Sequence, residues 1–293
     1  NIAHVGENRY GTEPALMAKL VVNYTDGSTK TTVVTDNSWT CNTNGPITDN
    51  NFLDGEKYDA SKEIPGWNAP GYVENSKWKP VKVTTAAKLK IADSPEAQIG
   101  ETVQQVAELT VKAVTEPKSK AFIYDFGQNF AGVVKLELPA SFTTTHKGVT
   151  IRLRHGEMLN DASGTGDDVE GSLYDANLRT FKAIDTYTVK GDANGETYTP
   201  RFTYHGFRYV EITGLDEALP ASYLTGVVLS NALETTGSIQ TSNALVNQLY
   251  SNAYWGLLSN FISVPTDCPQ RNERMGWAGD AQIFTRTATY FKN

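Results

Sequence analysis

The sequence predicts a mainly β protein: two β-sandwich domains in succession, with the opening helices of an α-helical domain behind them. Two observations carry this. Up to about residue 236 the chain runs as short alternating apolar and polar stretches, rich in β-branched and aromatic residues and separated by Gly, Pro, Asn and Asp. After Ser238 the hydrophobic period changes from that of a strand to that of a helix. A chain of 293 residues is long enough for two or three domains and a sizeable core.

The first domain covers residues 1–85. From Leu16, LMAKLVVNYTDGSTKTTVVTDNSW alternates, and Asp26-Gly27 between two β-branched runs predicts a hairpin. GPITDNNFLDGEKYDASKEIPGWNAPGYVENSKWKPVKV follows, punctuated by Pro, Gly and Asn too often for a helix. The second domain covers 86–236. AELTVKAVTE alternates, AFIYDFGQNFAGVVKLELP reads strand, turn, strand, and KGVTIRLRHGEML places Val149, Ile151 and Leu153 on one face. DTYTVKGDANGETYTPRFTYHGFRYVEITG gives two more strands, joined through Asp192-Ala193-Asn194-Gly195. Between these, DASGTGDDVEGSLYDANLR (161–179) reads as a long polar loop.

The third region is 237–293. In TSNALVNQLYSNAYWGLLSNFI, Leu245, Leu249, Ala253 and Leu257 recur at i, i+4 on one helix face, with Ser242 or Asn243 as N-cap. Asp280 is read as the N-cap of AQIFTRTATYF, whose Phe284, Thr287 and Phe291 share a face. Two helices cannot bury both their faces, so they dock on the β part or need further helical partners.

Composition narrows the function. A net charge of −7 with no Lys/Arg cluster excludes a nucleic-acid partner, whose phosphates need a positive surface. Aromatic residues are plentiful, which suits carbohydrate contact, although most such rings belong to cores. Cys41 and Cys268 form neither a disulfide framework nor a metal-ligand spacing, so both a reducing compartment and export stay open. No apolar run is long enough to span a membrane. The N-terminus shows no signal peptide and no initiator Met, so the expectation is a piece excised from a longer protein. His146, His155 and His205 fall among predicted strands and read as structural, and His4 sits in a terminal segment.

The chemistry concentrates in SVPTDCPQRNERMGWAGDAQIF (263–284), which holds Asp267, Glu273 and Asp280 with Arg271, Arg274 and Trp277. The carboxylates are six and seven residues apart, so only a loop can bring them together. Crowded carboxylates raise one another's pKa, and a carboxyl kept protonated is what a glycosidase needs as its general acid. The arginines hold carboxylates ionised or bind sugar hydroxyls; Trp277 offers a flat face on which a sugar ring stacks. The competing reading is a structural ion-pair network with Asp280 as a cap and Gly276 and Gly279 as turn residues. A nucleophile at Cys268 would need a base, and no His lies near it in sequence.

TDCPQRNERMGWAGD resembles the signature of the bacterial α-L-rhamnosidases, inverting glycoside hydrolases of family 78. Upstream, GPITDNNFLDGEKYDA and GWNAPGYVENSKWKP resemble their N-terminal carbohydrate-binding-like jelly roll. YDFGQNFAGVVKLEL, IRLRHGEML and PRFTYHGFRYVEITG resemble their concanavalin-like sandwich. The resemblance covers essentially the whole chain and implies that 237–293 begins an (α/α)6 barrel that the sequence leaves unfinished. It implies Glu273 as general acid, Asp267 and Asp280 as hydroxyl-binding and tuning carboxylates, and Arg271 and Trp277 as sugar contacts. The substrate class it implies is a glycoside or polysaccharide with terminal α-L-rhamnose, hydrolysed without a cofactor. The family's general base comes from a later Glu, beyond Asn293, so this polypeptide is expected to be inactive by itself. Some relatives bind rhamnose through calcium in the jelly roll; Asp49 and Asn50, with Asn51, Asp54 and Glu56, are the matching ligand types, and equally ordinary turn residues. The alternative function is a carbohydrate-binding β-sandwich module without catalysis of its own. The unfinished helices are expected to self-associate through their apolar stripe.

Overall fold

The computed structural model describes residues 15–83, 103–161 and 168–293. The boundary expected near residue 85, the middle of the 161–179 loop and His4 lie outside them.

The Asp26-Gly27 turn forms the expected hairpin between β1 (Lys19–Asn23) and β2 (Thr29–Val34). Gly27 supplies the positive φ the turn requires, at +84°. Asp26 steadies the turn by accepting from the Ser28 N–H at 2.8 Å.

A second hairpin, β3 (Ile47–Asn51) and β4 (Gly55–Asp59), belongs to the central sheet although it precedes residue 85. The rest of that sheet is β5 (Val103–Thr110), β6 (Ala113–Lys118), β7 (Ala121–Leu138), β8 (Thr150–Gly156), β9 (Ile184–Thr188), β10 (Glu196–Tyr198), β11 (His205–Thr213) and β12 (Leu224–Asn231). The ten strands run β3-β4-β9-β8-β11-β7-β12-β5, with β6 and β10 also paired to β7. All pairs are antiparallel except β4 with β9. Gly55 permits that parallel join: a Cβ there would lie 2.0 Å from the Ile184 carbonyl oxygen.

AFIYDFGQNFAGVVKLEL is one strand rather than the expected two. Gly127, at φ +76°, bends it without ending it, and the Asp125 carboxylate accepts the Gly127 N–H at 2.6 Å. The bend lets β7 pair with β6 along its first half and with β12 and β10 along its second. Alternation along these strands buries Tyr124, Phe126, Phe130, Ile151, Leu153, Tyr187, Phe207 and Ile212 in one core. A smaller cluster, Ala131, Val133, Tyr204, Val227 and Ile262, joins the sheet to the segment after residue 260.

Helix α1 (Ala244–Asn260) is capped by Asn243, whose side chain accepts from the Leu245 and Val246 N–H groups. Helix α2 (Ala278–Ala288) begins before the expected cap: Trp277 occupies that position, and Asp280 lies inside the first turn. The Ala281 N–H already bonds the Trp277 carbonyl at 3.1 Å, so the turn is closed before Asp280 can cap it. The two helices share a small core of Leu257, Leu258, Ala288 and Phe291. The face expected from Leu245 to Leu257 is split, with Leu257 buried and Leu245 and Leu249 in solvent.

Candidate active site

The 263–277 loop is pinched shut by Asp267. Its N–H donates to the Met275 carbonyl at 3.1 Å, and its Oδ1 accepts the Met275 N–H at 2.7 Å. Asp267 Oδ2 also takes the Cys268 thiol at 3.1 Å. Burial is the main cause holding that thiol above its usual range, so it stays protonated and is no nucleophile. The pinch brings the carboxylates of Asp267 and Glu273 and the Cys268 sulfur within 4.8 Å of one another.

Glu273 sits at the outer turn of the loop with a side chain 31% exposed. Its Oε2 is 3.1 Å from Arg271 Nη2 and 3.5 Å from Arg179 Nη1. The backbone there is unusual: φ is +152° at Glu273 and +42° at Arg274. Such values favour glycine and persist in other residues only where the surroundings enforce them. Asp280 is not in this group; it stands exposed on the first turn of α2, where its charge meets the positive end of the helix dipole. Trp277 is 48% exposed beside the loop mouth.

Arg274 departs from its expected role. Rather than holding a carboxylate or facing solvent, it is buried against the sandwich, its guanidinium 4.1 Å from the Tyr204 ring centre and 5.3 Å from that of Phe52. It donates to the carbonyls of Phe52 at 3.3 Å, Tyr204 at 3.0 Å and Pro269. Burial holds its pKa below the usual arginine range. The positive φ values turn the chain so that neighbouring side chains diverge, Glu273 to the open side and Arg274 into the sandwich. Gly206 allows the contact, since a Cβ there would lie 2.8 Å from Pro269 Cγ and 2.9 Å from Gln270 Cβ.

The sandwich meets the loop with residues that no local pattern marked. Asn272 donates from Nδ2 to Thr180 Oγ1 at 2.9 Å, and Arg179 Nη1 lies 3.4 Å from the Asn272 carbonyl. Glu157 accepts from Asn129 at 2.8 Å and Asn177 at 3.2 Å; burial pushes its carboxyl up, with the Asn129 bond and the Arg271 charge partly opposing. Arg179 is 94 positions from Glu273, a distance at which one sequence carries no signal of contact.

The residues named for calcium are engaged within the protein. Asp49, 60% exposed, pairs with Lys57 at 2.7 Å, while Glu56 is buried and accepts from Tyr198 and the Arg201 N–H. Asn51 Oδ1 is occupied by the Leu53 and Asp54 N–H groups, the ordinary bonding of a turn. Elsewhere His155, Asp185 and His205 place ligand-type atoms within 4.8 Å in the core. Their imidazoles stack at 4.2 Å and 24°, and both Nε2 atoms face Asp185 Oδ2, at 3.8 Å from His155 and 3.2 Å from His205. His146 stacks on Phe142 at 4.0 Å, as a structural histidine does.

Fold and loop define a modular protein in which a β-sandwich seats the carboxylate-bearing loop of a helical domain. Comparison with known proteins gives its family. Residues 2–105 match an α-L-rhamnosidase N-terminal domain, 115–230 a bacterial α-L-rhamnosidase concanavalin-like domain, and 234–293 a bacterial α-L-rhamnosidase six-hairpin glycosidase domain. An α-L-rhamnosidase of Streptomyces avermitilis is 41% identical over 290 residues, covering 99% of this chain and 26% of the relative. One from Formosa agariphila is 37% identical, covering 94% of this chain and 28% of its own length. The crystal structure of a Streptomyces avermitilis α-L-rhamnosidase complexed with L-rhamnose superposes with a TM-score of 0.85 at 41% identity, over 100% of this chain and 26% of that one. That of Dictyoglumus thermophilum gives 0.80 at 36% identity, over 94% and 29%. The chain belongs to the bacterial α-L-rhamnosidases and spans about a quarter of the length of these relatives.

Proposed function

We propose that the protein to which this chain contributes is an inverting glycosidase that removes terminal α-L-rhamnose from glycosides or polysaccharides, with Glu273 as its general acid. The observation that carries this is the partly exposed Glu273 carboxyl, offered on enforced backbone at the seam of two domains. In the reaction Glu273 gives its proton to the glycosidic oxygen as the C–O bond breaks. Water, deprotonated by a general base, attacks the anomeric carbon from the opposite face. Inverting pairs stand about 6.5–9.5 Å apart to leave room for that water. Asp267, within 4.8 Å of Glu273, is too near to be the base and suits a role in holding sugar hydroxyls. Asp280, Arg271 and Trp277 are proposed to line the same mouth, and the base to come from the part of the relatives' length that this chain does not span.

The test is Glu273→Gln in the full-length protein, with circular dichroism to confirm folding. General acid help is worth on the order of 10²–10⁴ in rate, so kcat should fall by that much on an alkyl rhamnoside. The fall should be smaller on p-nitrophenyl α-L-rhamnoside, whose leaving group needs less protonation. Equal activity of variant and wild type on the alkyl substrate would overturn the assignment. Turnover by residues 1–293 by themselves would overturn the placement of the base.

A further inference from the structure

We propose that Arg179 of the β-sandwich is a positioning residue for the Glu273 carboxyl, so the proton donor is held from the neighbouring domain. The inference rests on Glu273 being the general acid.

The geometry runs as a chain of contacts across the seam. Glu157, just after β8, is held by Asn129 and by Asn177. Asn177 lies in a single helical turn that ends next to Arg179. Arg179 Nη1 reaches Glu273 Oε2 at 3.5 Å and the Asn272 carbonyl at 3.4 Å, and the adjacent Thr180 takes Asn272 Nδ2 at 2.9 Å. Residues 177–180 thus bracket the acid loop from outside. Arg271 holds the same carboxylate from within the loop, its Nη2 3.1 Å from Glu273.

Two features set this apart from an ordinary surface ion pair. Arg179, with φ +62° and ψ −106°, and Glu273 both hold backbone conformations that cost free energy, while an ion pair whose side chains are 47% and 31% exposed returns little stability. Stability therefore does not explain the contact. The network is also unsaturated: Asn177 Oδ1, Arg271 Nε and Asn272 Oδ1 are buried without a hydrogen-bond partner, whereas structural networks usually satisfy every buried group. The charged and titratable groups facing Glu273 are Arg271, Asp267 and Cys268 from its own loop and Arg179 from the sandwich.

The test reads the pH dependence of kcat/KM in the full-length enzyme. The basic limb reports loss of the acid's proton. Removing a positive neighbour makes that proton harder to lose, so Arg179→Met should move the limb to higher pH. The shift should be on the order of half a pH unit, as befits a partly exposed pair. Arg179→Lys should restore most of the wild-type profile, and the acidic limb should stay put in every variant. A basic limb of Arg179→Met that coincides with wild type, in an enzyme that Glu273→Gln inactivates, overturns this inference and leaves the function standing. Undiminished activity of Glu273→Gln overturns both. Should Arg179→Met fail to fold, the upward shift expected of Arg179→Gln decides the matter.

Discussion

His155 shows what a single buried residue does to the pH response of the fold. It is fully buried, its Nδ1–H donates to the Ala183 carbonyl at 2.9 Å, and its Nε2 has no hydrogen-bond partner. Burial first, and the neighbouring His205 second, push its pKa down to about 3. In the unfolded chain it takes a proton near 6.5. Its stabilising contribution is therefore complete above about 6.5 and is lost as pH falls from there toward 3. Asp185 is also lowered: burial raises it, but His205, His155 and the Glu56 N–H together outweigh that, so its share is lost at lower pH still, below 3.8. Glu56, raised by burial, works in the opposite direction at pH just above 4.5. The unfolding free energy from urea titrations should fall between pH 7.5 and pH 5, by up to about 1.4 kcal/mol per pH unit for one proton. In His155→Leu that slope should flatten even though the variant is less stable throughout. An unchanged slope would show that His155 is not the group responsible.

Elements are held or misread according to how local their causes are. The hairpin at Asp26-Gly27 and the helix from Asn243 were legible because a turn dipeptide, a cap and a periodic face lie within a few residues of each other. The unbroken course of β7 was not: its Gly127 reads as a turn, and only pairing with four other strands carries the strand through. The start of α2 at Ala278 instead of after Asp280 was hidden for the same reason, since the loop's closure on Met275 sets it. That loop yields an element-scale prediction. Gly206→Ala would drive a methyl into Pro269 and Gln270, at positions 2.8 and 2.9 Å from its Cβ. The loop should lift off β11 while the sheet keeps its pairing. Hydrogen exchange should quicken at Met275 and Trp277, whose amides bond within the loop, and stay slow in β7 and β8. Arg274→Lys should do likewise, because an ammonium cannot span three carbonyls and two ring faces as a guanidinium does. Uniform quickening across the sheet would mean that the loop is structural glue for the sandwich rather than a docked part.

For the whole molecule, the β-then-α order was written in the change of period at Ser238, and the pairing of Asp267 with Glu273 followed from a carboxylate-rich loop between helices. The contribution of the sandwich to that loop was not legible, because Arg179, Glu157, Tyr204 and Phe52 approach it only through the fold. The same fold leaves a surface with a physical consequence. Leu245, Leu249 and Ile283 are 80%, 68% and 81% exposed, and Val246 and Tyr290 are exposed beside them on the helical pair. Monomeric soluble proteins rarely present so many large apolar side chains on two neighbouring helices without covering them. Fully burying one such side chain is worth about 1.5–3 kcal/mol, so a dimer that covers three on each partner gains roughly 9–18 kcal/mol before the cost of association, against about 8 kcal/mol net for micromolar binding. Residues 1–293 by themselves should therefore elute above monomer mass in light scattering, with the excess falling on dilution. Leu245→Glu with Leu249→Glu and Ile283→Glu places charges on these exposed positions and should return the monomer without lowering the urea midpoint of the β-sheet. A wild-type chain that is monomeric throughout, or a triple variant that still associates, would show that the helical face is not the surface through which this chain meets itself.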